Sequence, residues 1–555
     1  MNAGSAGHPL SVLFAAGGDD PWIARIERSL TAALQAAGGQ CLILAYDRDV
    51  FTPDGPWIDL REVGTVEGPD LPPEALLPPE LAPLAADTRW YHRASGYPDD
   101  PASVEAPLAA TAWCCDRVLE ACRPDLVMVW NGLLSHQAVV ADRARRRGLP
   151  VRYCEKGPLP DTWYADPLGV NAAGSLVAEP KSPGLTEALD APLEPDELAA
   201  TLGEIRRIAE QGASAWGQPP RRGAAAWRQT LGIGDRDRVL FFPLQVDADT
   251  NMRFFSPHFS GSLEALTAVS RAAGDRWRVL AKPHPQGACP PRAVQDAVGR
   301  RGWCVPDINL HDALDLADLV VTINSTVAAE AAWRDLPVLQ LGRGILSDKG
   351  IVAEYRPDEP LAGQLDAAVR RWRQQPRRHR RALQFYRYLR RHYLLPAGEP
   401  PDLRRMLGDR DAGTARCGSP PGARAAEIAA GFMWRRGRQL LDALGRRRRP
   451  PRRVVLLGWG RNARRLLRER DRHPFGRRLC WQVWDDDETV RRAAAQAGWQ
   501  PADPLDARQR APDTLVVVTP RASAGPAARL AAAGLVEGRD YLRLDAPDAA
   551  EQARD

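Results

Sequence analysis

Three apolar segments in the middle of the chain each end abruptly in polar residues that could bind an anion or move a proton. A short apolar run that stops in this way is typical of a buried parallel strand whose carboxyl end opens into a functional loop. Ligands of open α/β sheets collect at such ends, so we expect one site within residues 239–342. The polar ends are, in chain order, Gln245 with Asp247 and Asp249, Lys282-Pro283-His284-Pro285, and Asn324-Ser325-Thr326.

Two of these ends carry groups that suit a phosphate. Asn324-Ser325-Thr326 lies between a predicted strand and a predicted helix, where hydroxyls and backbone N–H groups can bind an anion or simply cap the helix. Lys282 and His284 are flanked by Pro283 and Pro285, which stiffen the loop that presents them. Both side chains can donate to a phosphate, and His284 can also act as an acid or base.

The carboxylates admit two interpretations. Asp247 and Asp249 could hold a divalent metal on a nucleoside diphosphate, or one of them could be a nucleophile or base. No third metal ligand stands nearby in the sequence, which favours the second interpretation. Glu155 follows a strand in the first half of the chain, and two carboxylates facing each other across a cleft suit glycosyl transfer. Each acid alone could also be a helix cap or a loop carboxylate.

The surrounding pattern predicts an α/β fold with two lobes. Strands at 10–16, 41–46, 126–130 and 150–153, with intervening helices, predict a doubly wound lobe over residues 1–234. Residues 52–104 are interpreted as a long functional loop with some helix, and the chain from residue 155 to 171 as another loop. A second alternation of strands and helices predicts a lobe over residues 235–395, with a cleft between the two lobes.

The last third of the chain predicts a linker and a small third domain. Residues 396–450 are interpreted as a helical, arginine-rich linker and residues 451–555 as a small Rossmann-like appendage. Gly458, Gly460 and, further on, Asp485 form a dinucleotide-binding fingerprint. Too few residues follow for a full Rossmann domain, so a structural or partner-binding role is favoured over NAD binding.

Composition bounds the partners and the compartment. The net charge of the 555 residues is only +5, but ten arginines fall within residues 370–391 and six within 446–453. Such tracts suit an anionic membrane surface or an acidic polysaccharide, or they are a solvated helix face and a linker. Nucleic acid is excluded because no reading motif accompanies the arginines. Nine scattered cysteines, no signal peptide and no apolar run of membrane-spanning length predict a cytoplasmic protein, peripheral to the inner membrane at most.

Several of these motifs occur together, in one order, in a known family. The chain resembles the bacterial capsule polysaccharide biosynthesis and export family, which includes the Kps-type β-Kdo glycosyltransferases, over residues 120–395. The motifs that carry the resemblance are Glu155-x-Gly157-x-x-Pro160, Asp166-x-x-Gly169-Val170-Asn171, Pro243-Leu244-Gln245-x-x-x-Asp249, Lys282-Pro283-His284-Pro285, Asn324-Ser325-Thr326-Val327-x-x-Glu330-Ala331, Leu336-Pro337-Val338 and Gly342.

The resemblance implies a GT-B-like arrangement of the two lobes and transfer of Kdo from a CMP-activated donor, with retention and without a metal or other cofactor. It implies that Asp249 is the nucleophile and Glu155 the acceptor-side acid or base. His284 with Pro285 would contact the phosphate of CMP, and Ser325 and Thr326 would bind it. Gln245, Lys282, Asn324 and Glu330 would complete the donor site. The partners would be a glycolipid or oligosaccharide acceptor and capsule assembly proteins.

Two alternatives stay open at this point. One is a metal-dependent transferase that uses Asp247 and Asp249 with a nucleoside diphosphate sugar. The other is an export or assembly factor without catalytic activity, which binds polysaccharide or anionic lipid through its arginines.

Overall fold

A computed structural model describes residues 10–16, 20–45, 57–59, 77–214, 217–403 and 406, and shorter stretches between residues 441 and 543. The chain divides into two compact units, Met1–Ala426 and Glu427–Asp555, and each is described by itself. The first unit contains two sheets and the second contains a third. The parallel-rich sheets with helices between their strands confirm the predicted α/β class with Rossmann-like lobes.

The first sheet has seven strands in the described residues, in the order β13-β6-β5-β4-β1-β2-β3. Strands β1 to β5 are parallel, and β6 runs antiparallel to both of its neighbours. Every residue of β1 and β4 is buried, as expected for parallel strands covered on both faces. The strands are β1 (Ser11–Ala15), β2 (Gln40–Ala45), β3 (Trp57–Asp59), β4 (Leu126–Trp130), β5 (Val151–Lys156), β6 (Thr162–Asp166) and β13 (Leu395–Pro396).

Helices between and after the strands of this sheet complete the first lobe. The first of them begins at Pro21, where the Asp20 side chain accepts from the N–H of Trp22 at 2.9 Å. An aspartate cap followed by proline is a strong helix start. The aspartate side chain accepts from a free N–H of the first turn, and proline has no N–H to satisfy. The α-helices are Pro21–Ala36, Ala82–Ala94, Pro101–Cys122, Ser135–Arg146, Ser175–Ala178, Pro183–Asp190, Pro195–Gln211 and Ala224–Leu231.

The second sheet has six parallel strands in the order β12-β11-β10-β7-β8-β9. The strands are β7 (Val239–Pro243), β8 (Arg278–Lys282), β9 (Trp303–Cys304), β10 (Leu319–Thr322), β11 (Val338–Gln340) and β12 (Ala353–Glu354). The helices are Thr250–Phe255, Ser262–Ala273, Pro291–Val298, Leu310–Leu316, Val327–Trp333, Leu361–Gln374 and Arg377–Tyr388. Its core packs Phe242, Leu266 and Trp277 between sheet and helices.

The loop predicted from residue 155 to 171 is wrong in its first part. Strand β5 continues through Lys156, and residues Thr162–Asp166 return beside it as the antiparallel strand β6. The N–H of Gly157 donates to the carbonyl of Thr162 at 2.7 Å and closes the hairpin. The prolines at 158 and 160 mark the turn correctly, but Thr162, Trp163 and Tyr164, residue types that favour a strand, lie in what was predicted as loop.

The arginine tract at 370–391 is partly committed to contacts inside the first unit. Arg387 and Arg391 pair with Glu197 at 3.0 and 2.6 Å, and Arg390 pairs with Glu204 at 3.0 Å. Immediately afterwards β13 pairs with β6, so the chain returns from the second lobe to the first sheet. These arginines therefore attach the end of the second lobe to helix Pro195–Gln211 of the first.

The second unit contains a four-stranded parallel sheet in its described residues, in the order β15-β14-β16-β17. Its strands are β14 (Arg453–Leu457), β15 (Cys480–Trp484), β16 (Thr514–Val518) and β17 (Tyr541–Arg543), and a helix spans Ala524–Ala532. The predicted fingerprint residues Gly458, Gly460 and Asp485 lie outside the described residues, as does most of the predicted linker 396–450. None of the helices in the described part of the chain is long and apolar enough to cross a membrane.

Candidate active site

A cleft with a cavity volume of about 240 Å³ opens between the two lobes of the first unit. It receives residues from the carboxyl ends of β4 and β5 on one side and of β7, β8 and β10 on the other. The predicted residues that line it are Glu155, Gln245, Asp249, His284, Asn324, Ser325 and Thr326. Three of the predicted residues, Lys282, Pro285 and Glu330, are not among its lining residues.

Glu155 supplies the carboxylate of the first lobe. Its Oε2 accepts a hydrogen bond from Nδ2 of Asn131 at 2.8 Å, and its Oε1 accepts one from the N–H of Lys156 at 2.9 Å. Burial raises the pKa of Glu155 to about 7, and the Asp249 carboxylate adds to the rise, while the two donors and the Lys156 cation oppose it. Glu155 therefore changes its protonation state near neutral pH, which suits a general base or acid.

Asp249 supplies the carboxylate of the second lobe and is also a helix cap. Its Oδ1 accepts from the N–H of Asn251 at 2.7 Å at the start of helix Thr250–Phe255, which sequence reasoning missed. The side chain faces the open cleft, although the surrounding protein raises its pKa by desolvation. Asp249 can therefore be a helix cap and a catalytic carboxylate at once, because the capping bonds hold the carboxylate where it faces the cavity.

Asp247 has a different place from Asp249. Its Oδ1 accepts from the N–H of Ser262 at 2.7 Å, at the start of helix Ser262–Ala273, and Asp247 is not a lining residue of the cleft. The two aspartates thus serve the starts of two different helices. Within the described ranges, no three His, Cys, Asp or Glu side chains are grouped so that they could hold a metal ion.

His284 is presented to the cleft as a hydrogen-bond donor. Its Nδ1 accepts from the N–H of Gln286 at 3.1 Å, so the proton of the neutral ring is on Nε2. Burial, together with the nearby Lys282 cation, lowers the pKa of His284, which keeps the ring neutral at neutral pH. Pro285 lies in the same turn with an exposed side chain, so its part is to shape the loop.

Lys282 and Glu330 are placed elsewhere. The Lys282 ammonium is buried and donates to the carbonyls of Pro306 and Ile308 at 3.1 and 2.7 Å, which ties β8 to the loop after β9. Glu330 is buried on helix Val327–Trp333 and lines a separate small pocket that also includes His311. Burial raises the pKa of Glu330 to about 8. The structure gives both residues surroundings outside the cleft.

Gln245 and Asn324 line the cleft but use their polar atoms on each other. Nε2 of Gln245 donates to Oδ1 of Asn324 at 2.7 Å, and the N–H of Asn324 donates to Oε1 of Gln245 at 3.0 Å. Nδ2 of Asn324 donates to the carbonyls of Asn251 and Phe255 at 3.0 and 3.1 Å. The pair therefore joins the ends of β7 and β10 and holds the helix that begins at Asp249.

Ser325 and Thr326 are half-buried in the cleft wall. The Ser325 hydroxyl accepts from the N–H of Val327 at 3.3 Å, and a hydroxyl that accepts one bond can still donate another. Together with His284 they place three neutral donors on the second lobe's side of the cleft, where an anionic group of a ligand could be bound.

Four further residues of the first lobe line the cleft, Asn131, Lys156, Gly157 and Asn171, and the sequence analysis gave none of them a role in the site. Asn131 and Asn171 have left-handed backbones, with φ of 57° and 55°. Asparagine is the residue other than glycine that most readily adopts this conformation, and Asn131-Gly132 directly after an apolar strand was the available signal. Lys156 bonds to Asp20 at 2.9 Å and lies over the Trp22 ring, which no sequence pattern indicates.

The fold and the site define an α/β protein with two Rossmann-like lobes about a cleft, with one carboxylate from each lobe. Residues 215–368 match the model of a family described as capsule polysaccharide biosynthesis protein. This match confirms the predicted resemblance for the second lobe and the segment that leads into it. A comparison with curated proteins found no match.

Comparison with solved structures finds similar chains at low identity. A Thermosulfurimonas dismutans KpsC described as a β-Kdo 2,7 transferase is 19% identical over 46% of this chain and 79% of its own, with a TM-score of 0.30. A KpsC β-Kdo 2,4 transferase of the same organism is 17% identical over 44% and 79%, with a TM-score of 0.32. A UDP-GlcNAc 2-epimerase of Neisseria meningitidis is 13% identical over 67% and 94%, with a TM-score of 0.30.

Proposed function

We propose that this protein is a glycosyltransferase of capsule or related surface polysaccharide synthesis, which transfers Kdo from CMP-Kdo to a glycolipid or oligosaccharide with retention. The observation that carries the proposal is the cleft in which Glu155 of one lobe and Asp249 of the other line the same cavity. The family match over residues 215–368 supports the assignment to capsule synthesis.

The donor would bind on the side of the second lobe. A CMP-sugar has a single phosphate, and neutral donors can stabilise it as a leaving group without a metal. Nε2–H of His284 and the hydroxyls of Ser325 and Thr326 are such donors, and all three residues line the cleft. The depressed pKa of His284 keeps this ring a neutral donor at neutral pH. No metal or other cofactor is required in this scheme.

In the first step the Asp249 carboxylate attacks the anomeric carbon, and the bond from that carbon to the phosphate oxygen breaks. CMP leaves with the bonding electron pair, and the sugar is joined to Asp249 as an ester. Asp249 must be ionised for this step. The N–H of Asn251, which donates to Oδ1 at 2.7 Å, stabilises the charged form against the desolvation that raises its pKa.

In the second step Glu155 accepts the proton of the acceptor hydroxyl as the hydroxyl oxygen attacks the anomeric carbon. The ester bond to Asp249 breaks, and the aspartate leaves as the carboxylate. Two inversions at one carbon give net retention. A pKa of about 7 makes Glu155 an effective base at neutral pH, because about half of the molecules carry the ionised form there and that form binds a proton well.

The direct test is incubation of the purified protein with CMP-Kdo and a lipid or Kdo-primed acceptor. Asp249→Ala should abolish transfer, whereas Asp247→Asn, which keeps an acceptor for the N–H of Ser262, should leave it nearly unchanged. Full activity of Asp249→Ala would refute the nucleophile. Loss of transfer in EDTA, restored by a divalent metal, would instead favour the alternative that uses a nucleoside diphosphate sugar.

A thermal-shift comparison of CMP, UDP, GDP and NAD tests the donor class separately. A ligand that binds the native state raises its melting temperature, so we expect a response to CMP alone. A response to UDP without one to CMP would contradict the proposed donor.

We also propose that the acceptor is reached at the inner surface of the cytoplasmic membrane. Arg370, Arg371, Arg373 and Arg377 are exposed around the turn between two helices, apart from the arginines that pair with Glu197 and Glu204. Like charges crowd there, since Arg371 and Arg377 add to the burial that lowers the pKa of Arg378. Sedimentation with anionic vesicles should be strong at low salt and fall when these four residues are replaced by glutamine.

A further inference from the structure

The two candidate carboxylates are joined by a chain of hydrogen bonds that crosses between the lobes. Nδ2 of Asn131 donates to Oε2 of Glu155 at 2.8 Å and to Oγ1 of Thr250 at 3.3 Å. The Thr250 hydroxyl in turn donates to Oδ1 of Asp249 at 3.4 Å. An amide nitrogen has two hydrogens, so both bonds of Asn131 can be made at once. We call these four residues the cross-lobe bridge.

Backbone contacts hold Asn131 in place independently of the bonds that its side chain makes to Glu155 and Thr250. Its N–H donates to the carbonyl of Cys154 on the neighbouring strand at 2.8 Å, and its φ is 57°. Its Oδ1 accepts from the N–H of Leu133 at 3.2 Å, which forms a local turn and sets the side-chain rotamer. With Oδ1 used in this way, the amide nitrogen is directed to Glu155 and Thr250.

The opposite end of the bridge is equally well held. Thr250 is the first residue of the short helix Thr250–Phe255, and Asn324 bonds to the carbonyls of Asn251 and Phe255 in that helix. Arg253 of the same helix pairs with Asp87 of the first lobe at 2.9 Å. The distance between Thr250 and Asn131 therefore depends on the relative position of the two lobes.

We propose that Asn131 is a positioning residue. Through its bonds to Thr250 and Glu155, the relative position of the two lobes changes how readily Glu155 binds a proton. The catalytic consequence of this coupling rests on the proposed function, whereas the hydrogen bonds of the cross-lobe bridge are a property of the fold. A donor to the charged form of a carboxylate favours ionisation. When Thr250 accepts the second hydrogen, the amide is held in the orientation in which the first points at Glu155.

Other charged and titratable groups also act on Glu155, and the test must separate them from Asn131. Asp249 faces it from the second lobe, Lys156 follows it in the chain, and Tyr164 of β6 and Cys154 of β5 are electrostatic neighbours. A substitution at Asn131 leaves all four groups in place, whereas Thr250→Val also removes the hydroxyl that donates to Asp249.

Four variants test the bridge. Asn131→Gly keeps the left-handed backbone and removes the amide without adding charge, and Asn131→Asp keeps Oδ1 for Leu133 but replaces the donor by an acceptor. Thr250→Val removes the hydroxyl and keeps the branched shape, and Thr250→Ser restores the hydroxyl as the matched control. A hydrogen bond to a charged group corresponds to about 10- to 100-fold in an equilibrium, so effects of this size on kcat are expected at Asn131.

The expected pattern is non-additive. Asn131→Gly should lower kcat about 30-fold and Thr250→Val about 5-fold. The double variant should be slower than Asn131→Gly by less than about 5-fold, because the two residues share one contact while Thr250 also donates to Asp249. The limb of the pH profile that reports Glu155 should move to higher pH in Asn131→Gly and further in Asn131→Asp. Thr250→Ser should behave as the wild type. Additive losses, or a Thr250→Val variant identical to wild type, would overturn the coupling.

A readout without catalysis separates this inference from the proposed function. The melting temperature of each variant is compared with that of its Glu155→Gln counterpart from pH 5 to pH 9. The difference falls with rising pH and levels off at the pKa of Glu155 in the folded state, so the pH of levelling reports that pKa. We expect this pH, near 7 in the wild type, to rise in Asn131→Gly. If it rises but the wild type transfers no Kdo, the proposed function fails and the bridge stands. If transfer occurs and the pH of levelling does not move, the bridge fails alone.

Discussion

The two lobes each contribute one carboxylate to the cleft, and the surroundings of the two carboxylates differ. Glu155 extends from a strand that is paired on both sides, and burial raises its pKa to about 7. Asp249 precedes a helix, faces the open cleft, and has a backbone N–H donating to it from within that helix. Desolvation raises the pKa of both carboxylates, so they differ in exposure and in their hydrogen-bond donors and not in the direction of the shift. Under the proposed function, the first lobe supplies the base and the second lobe the nucleophile.

The largest effect is expected at the carboxylate of the second lobe. Asp249→Asn keeps an oxygen to cap helix Thr250–Phe255 but removes the nucleophile, so kcat should fall by about 10⁴-fold or more while the fold is retained. Single-turnover transfer assays and circular dichroism check the two parts. A loss of less than about tenfold, in a folded protein, would mean that the two carboxylates do not differ in role as described.

Replacing the carboxylate of the first lobe should have a smaller and pH-dependent effect. Glu155→Gln removes the proton acceptor, for which a loss of about 10²- to 10⁴-fold in kcat is usual, and the limb of the pH profile near 7 should disappear. The measurement is kcat against pH from 5 to 9. A limb that persists unchanged in Glu155→Gln would assign it to another group.

Lys282, the last residue of β8, and His284, in the loop that follows, should separate stability from binding. Lys282→Met leaves two buried carbonyls without their donor, so we expect a loss of about 2–4 kcal/mol in the free energy of unfolding and little change in CMP affinity. His284→Gln should do the reverse. Denaturant unfolding and calorimetry with CMP measure the two quantities. A Lys282→Met variant of native stability that no longer binds CMP would place the ammonium in the donor site after all.

The smallest effect concerns stability against pH. The pKa of Glu155 rises from 4.5 to about 7 on folding, so the folded state favours its protonated form. The stability from this group is fully present below pH 4.5 and is lost as the pH rises through about 7. Glu155→Gln should therefore flatten the unfolding free energy between these pH values. An identical pH dependence in wild type and variant would show that Glu155 titrates normally.

The sequence was sufficient for the second lobe because its site residues follow strands whose central residues are apolar. The ends of β7, β8 and β10 were recognisable for that reason, and Asp249, His284 and Ser325 do line one cavity. The sequence did not predict the direction in which the side chains point. Lys282 is the last residue of β8 and turns into the protein, and Glu330 lies on the face of its helix that packs towards His311. Both directions depend on packing that no local pattern encodes.

The first lobe was harder to predict because its site depends on distant contacts. Strand β6 was missed since its last residue, Asp166, is fully buried, which a sequence pattern would place in a loop. Its carboxylate is satisfied by the N–H groups of Leu168 and Ser175 and by the hydroxyl of Tyr393, 227 residues further along the chain. Asn131 likewise acquires its role only when Thr250 arrives from the other lobe.

The return of the chain to the first sheet through β13 limits how the lobes can move. The polypeptide passes between the lobes twice, once before β7 and once before β13, and Lys349 of the second lobe also donates to the carbonyl of Leu176 in the first. Two covalent crossings permit the lobes to rotate apart like a hinged pair but resist twisting about a single connection. Proteolysis after Tyr388, for example, would break the second covalent crossing without removing a single residue from the cleft.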